Sequence, residues 1–133
     1  MKVSVQSRLH RTLRGLEPFR VCNNWDQLKH LRQISSPLDT GEELLGVYEN
    51  YPESADGVLV FTNLGIYILE LRNWRNLKYK AIAGADWPKE SKREAQTLIV
   101  RMNDGTCESL PVLRGCLFDI MRFLDRVVAD GAK

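Results

Sequence analysis

The stretch VLVFTNLGIYILELR (residues 58–72) decides how the rest of the chain is read. Val58, Leu59, Val60, Phe61 and Thr62 are β-branched, aromatic or apolar, the residue types that suit a pleated, half-buried surface. Asn63-Leu64-Gly65 follows as a three-residue turn, with Gly65 at a position where positive φ costs nothing. Ile66 to Arg72 resumes the strand. Its alternation sets Ile66, Ile68, Glu70 and Arg72 on one face and Tyr67, Leu69 and Leu71 on the other. The second set is uniformly apolar, so it is expected to face the core. The first set is expected to be covered only at its Ile end.

On the N-terminal side, EELLGVYEN (Glu42–Asn50) reads as an earlier strand, and Pro52 and Gly57 break the loop between. On the C-terminal side, Asn73 to Asn76 reads as a loop and Leu77 to Ala85 as an alternating strand. Asp86-Trp87-Pro88 ends that strand, and KESKREAQ (residues 89–96) is a solvated polar run. Thr97–Met102 and Thr106–Pro111 flank Asn103-Asp104-Gly105, a strong hairpin signal because those residues tolerate positive φ. Cys116–Ala129 is the clearest helix: Leu117, Ile120, Met121, Leu124, Val127 and Val128 make its apolar stripe, widened by Phe118 and Phe123.

Residues 1–41 differ in kind and are expected to form a helical N-terminal extension to a domain spanning 42–133. Val5, Leu9, Leu13 and Leu16 recur at helical spacing with Arg8, Arg11 and Arg14 between them. Two readings stay open for this segment. Leu9 and Leu13 with the three arginines could lie on an anionic membrane or a partner, or the leucines could pack on the domain while the arginines are solvated. A second helix is expected over Asn24–Ile34, with Trp25, Leu28, Leu31 and Ile34 as its stripe.

At 133 residues the chain is long enough to bury roughly two-thirds of its unfolded surface without disulfides or metal. The net charge of +2 is too small to suggest nucleic acid, and residues 1–41 carry +4 against −2 for the remainder. Three cysteines without paired spacing (Cys22, Cys107, Cys116) point to free, buried thiols in a reducing compartment. With no spanning apolar run and no signal-peptide core, a cytoplasmic protein is expected, peripheral at a membrane if the basic helix works that way. The two histidines, His10 and His30, lie outside the strand region. There is no Cys/His pairing, serine elbow, phosphate loop or paired-carboxylate motif. The chain is therefore expected to be a binding module rather than an enzyme, with no cofactor and no metal.

The order of elements is about six antiparallel strands and then one amphipathic helix, which excludes a parallel βαβ sheet. The class is α+β, mainly β: a small antiparallel barrel or two packed sheets, capped by the C-terminal helix. Strand Glu42–Asn50, the DGVLVFTNLGIYIL hairpin (residues 56–69), the MNDGTCESLP hairpin (residues 102–111) and the closing helix together resemble the pleckstrin-homology-like superfold. Within it they are most similar to the bacterial PH-like domains. The resemblance covers residues 42–129 and implies binding without catalysis, including self-association. Phosphoinositide-binding members carry Lys/Arg on the first strands and the loop between them. Here Glu49, Glu53 and Asp56 occupy that segment, so that ligand is not expected.

Interface residues are sought among aromatics flanked by cations, the types that anchor protein contacts. Trp74 with Arg72 and Arg75 is one such group. Trp87 with Lys89, Lys92 and Arg93 is the other. The competing reading of both tryptophans is as plugs of the barrel ends.

Overall fold

The computed structural model describes residues 4–25, 37–52, 54–86 and 96–131. The expected helix beyond Trp25 and the Trp87–Arg93 group lie outside these residues.

The chain forms helix α1 (Val5–Leu13), strands β1 (Phe19–Val21), β2 (Leu44–Tyr48), β3 (Leu59–Thr62), β4 (Gly65–Glu70) and β5 (Asn73–Lys78). A 3-10 turn (Tyr79–Ala81) follows. The chain then forms β6 (Ile82–Asp86), β7 (Thr97–Met102), β8 (Cys107–Pro111) and helix α2 (Leu117–Ala129). Strands β1 to β5 make one antiparallel sheet in chain order, and β6 to β8 make a second. The class is α+β, mainly β, with a helix at each end of the chain.

The 3-10 turn moves the chain from one sheet to the other. It breaks the strand expected over Leu77–Ala85, because Tyr79 and Ile82 both turn into the core. Tyr79 donates its hydroxyl proton to Thr62 O (2.8 Å), which satisfies the buried oxygen.

The main core lies between the sheets and under α2. It joins Phe61, Ile66 and Ile68, Leu98, Val100 and Leu110, and Ile120, Phe123, Leu124 and Val127. Tyr67 and Leu69 do not point there, contrary to the reading of the hairpin's faces. They belong to a second cluster with Cys22, Leu44, Val47, Val58 and Val60, against which Trp25, Leu38 and Trp74 pack. Both faces of β4 are thus covered, and the alternation could not say which layer holds the main core. Leu71, also assigned to the core, is 87% exposed.

The reason is a turn that the sequence hides. β4 stops at Glu70, and the chain reverses on Leu71 (φ 51°) and Arg72 (φ 67°), pairing Glu70 with Asn73. A two-residue turn with both central residues at positive φ usually carries Asn-Gly, and Leu-Arg gives no such signal. Residues 73–76, expected as a loop, therefore continue the sheet. At the β3–β4 turn, Gly65 does not take positive φ. A Cβ there would lie 2.5 Å from Leu77 O, so glycine is needed for close approach of β5.

Residues 1–41 are not an outlying appendage where they are described. Leu9 and Leu13 are fully buried in the main core. α1 packs on α2. Arg8 forms a bidentate pair with Asp130 beyond the end of α2 (2.7 and 2.9 Å), while Arg114, just before α2, reaches Glu17 just after α1. The helices therefore run antiparallel. β1 extends the sheet by pairing Phe19, Arg20 and Val21 with Tyr48, Val47 and Gly46. Arg20 on β1 binds the buried Glu49, just past the end of β2.

Candidate interaction surface

Three polar clusters stand out among the described residues, and each holds the fold. The first is Glu42, whose side chain is fully buried. It accepts from Thr62 Oγ1 (2.6 Å), Tyr67 OH (2.7 Å) and the Asp39 N–H (3.1 Å), with Lys78 Nζ 3.9 Å away. Burial pushes its pKa up, but those hydrogen bonds and Lys78 outweigh it and hold the carboxylate below its ordinary 4.5. A carboxylate with a depressed folded pKa stabilises the protein above its unfolded value, and the benefit is lost as pH falls through the folded value. Wild-type stability should therefore fall as the pH drops below 4.5. Glu42→Gln should be weaker than wild type by about 1–2 kcal/mol at neutral pH, with a shallower acid decline. Denaturant midpoints across the acid range check both.

The second cluster surrounds Asn50, which is buried after the end of β2. Its Nδ2 donates to Gly57 O (2.6 Å) and Pro111 O (2.9 Å), and its Oδ1 accepts from the Leu113 N–H (2.8 Å). Beside it the Arg114 N–H donates to Tyr48 OH (3.0 Å). One amide thus ties the β2–β3 loop to the end of the second sheet.

The third is Arg75. Its guanidinium donates to Glu70 (2.6 Å), Glu108 (3.1 Å) and Ser109 O (2.7 Å). It joins β4 to β8 and is not a loose cation for an interface.

Trp74 is half-buried against the second cluster, on the face of the first sheet away from the main core. It meets Tyr67 edge-on (centroids 6.3 Å, 84°) and Trp25 at 6.3 Å. Arg72 stands apart: it is exposed and makes no ion pair among the described residues. In α1, Arg8 is held by Asp130, and Arg11 and Arg14 remain exposed. With Leu9 and Leu13 buried, the helix has no apolar face left to insert into a bilayer.

The thiols divide by burial. Burial, with Glu49 nearby, pushes Cys22 up to about 11, and burial also raises Cys116. Cys107, expected to be buried, is exposed on β8, because odd-numbered β8 side chains face away from Leu110 and the core. His10 Nε2 is buried without a hydrogen-bond partner among the described residues, and His30 lies outside them. No group of His, Cys, Asp or Glu among the described residues could hold a metal ion. No described helix is long and apolar enough to cross a membrane.

Of the exposed large apolar side chains, Leu71 and Tyr51 lie at one end of the first sheet, whereas Val21, Leu64 and Phe118 lie elsewhere. Leu71 and Arg72 form the β4–β5 tip, and Tyr51 is 49% exposed with its ring against Gly57. The Gly57 N–H donates to Leu69 O (2.7 Å), so the β2–β3 loop borders that tip. Leu71 and Tyr51 escaped the sequence reading. No protein-family model, no curated protein and no solved structure matches this chain.

Proposed function

We infer that this chain is a non-enzymatic protein-interaction module on a PH-like domain, with the β4–β5 tip as a contact point. The order of elements supports the PH-like reading. Four consecutive antiparallel strands, β2–β5, precede three more, β6–β8, and a closing helix. In this reading the sheets are the walls of a small barrel, with α2 over its open end.

The carrying observation is Leu71, 87% exposed on a turn where it and Arg72 both take positive φ. Left-handed geometry costs a residue with a Cβ about 1–2 kcal/mol. Asn-Gly would reverse the chain without that cost. A large apolar side chain and a cation kept there at the expense of stability point to a role outside folding. Leu71→Asn with Arg72→Gly should raise the unfolding free energy by about 1–3 kcal/mol. The same variant should lose the proteins that cross-link to wild type in cells. Retention of the same set by the stabilised variant would overturn the contact point.

The second reading, binding to anionic membrane through α1, keeps only Arg11 and Arg14. Two surface charges supply about 2 kcal/mol at best. Flotation with anionic vesicles at physiological salt should leave wild type unbound. Binding lost in Arg11→Glu with Arg14→Glu would put the membrane reading first.

A further inference from the structure

Among the described residues, the free edge of β5 is open. Glu70 pairs with Asn73 across a two-residue turn, so 70/73, 68/75 and 66/77 are the hydrogen-bonded pairs. The bond from the Tyr79 N–H to Leu64 O keeps the same phase. The N–H and C=O groups of Trp74, Asn76 and Lys78 therefore point away from β4. They meet no acceptor or donor among the described residues.

The β8 edge is partly blocked by side chains. Ser109 O is taken by Arg75, Pro111 O is taken by Asn50, and Pro111 has no N–H to offer. β1 has only three residues, and β6 is packed by α2.

We propose that the β5 edge binds an extended, acidic peptide segment of a partner protein by strand addition. This rests on the protein-interaction reading above and names its partner class. Charge selects the occupant. Arg75 and Lys78 are matched by their own carboxylates, whereas Arg72 and Lys80, at the two ends of the edge, are exposed without ion pairs among the described residues. A strand laid along Trp74, Asn76 and Lys78 meets a cation at each end, and acidic residues there are favoured. A second copy of this chain is disfavoured by the same charges. The fullest antiparallel self-pairing, centred on Asn76, sets Arg72 of each copy opposite Lys80 of the other. Trp74, Asn76 and Lys78 share a face with Tyr67 and Leu69. An apolar residue of the added strand can therefore lie against Trp74 while main-chain bonds supply the rest of the affinity.

The test is selection from a random heptapeptide display library on the full chain, followed by affinity and amide-exchange measurements with the selected peptides. The expected winners are acidic, β-branched sequences that slow exchange at the Trp74, Asn76 and Lys78 amides. Asn76→Pro removes one outward N–H and no internal bond, and should weaken the winners about tenfold. Arg72→Glu with Lys80→Glu, at two exposed sites, should weaken them too and keeps the test valid if the proline variant fails to fold. Winners that bind both variants as tightly as wild type would remove the edge and leave the interaction reading standing. Enrichment of no peptide class would overturn the edge and count against the interaction reading as well.

Discussion

Phe123→Ala should lower the unfolding free energy by about 3–5 kcal/mol, which for a domain of ordinary stability approaches loss of the fold at 37 °C. Phe123 is fully buried on the inner face of α2. Its ring meets Phe61 edge-on (5.5 Å, 83°) and Tyr79 edge-on (5.8 Å, 77°). It therefore touches the first sheet and the 3-10 turn leading to the second, and truncation opens a cavity where three elements meet. Phe118, one turn earlier and 47% exposed, is the internal control. Its ring lies under Arg122 (5.7 Å) at the surface, and Phe118→Ala should change stability by less than about 0.5 kcal/mol. Equal losses at the two sites in denaturant titrations would mean that α2 does not pack as described.

Asn50→Asp should cost about 2–4 kcal/mol at neutral pH although it changes a single group. The amide nitrogen that donates to Gly57 O and Pro111 O becomes a second acceptor facing two carbonyls. The burial that makes the amide effective makes an ionised oxygen there expensive. Once protonated, the introduced carboxyl can restore one of the two donations. The variant should therefore recover part of the loss as pH falls, opposite in sign to the Glu42 contribution. Chemical denaturation at neutral and acid pH reads both effects. A variant as stable as wild type would show that water, not Asn50, joins the sheets.

Several elements were legible because their information is local. α2 reads from a stripe with 3- and 4-residue steps. The β7–β8 hairpin reads from Asn-Asp-Gly, and Gly105 indeed takes positive φ. The packing alternative for α1 rested on Leu9 and Leu13 and holds in the structure. The site was harder to read. Arg72, Arg75 and Trp74 are neighbours in sequence with three different fates. Arg72 is exposed, Arg75 is held by Glu70, Glu108 and Ser109, and Trp74 rests on Tyr67 and Trp25. Residue type and spacing cannot separate them, because each fate depends on groups far along the chain.

The sequence by itself determined the class, the order of most strands and both described helices. Periodicity and turn chemistry are properties of a few adjacent residues. The tertiary structure alone decided that Leu71-Arg72 reverses the chain, that β1 joins the sheet and that Tyr67 and Leu69 face a second cluster. Among the described residues it also leaves the outward main-chain groups of β5 without partners, while Ser109 O and Pro111 O on β8 are taken. A strand's partners and its covered face depend on which distant segment arrives beside it. At Leu71-Arg72 the register of β4 with β5 imposes a backbone geometry that those two residues would not choose alone.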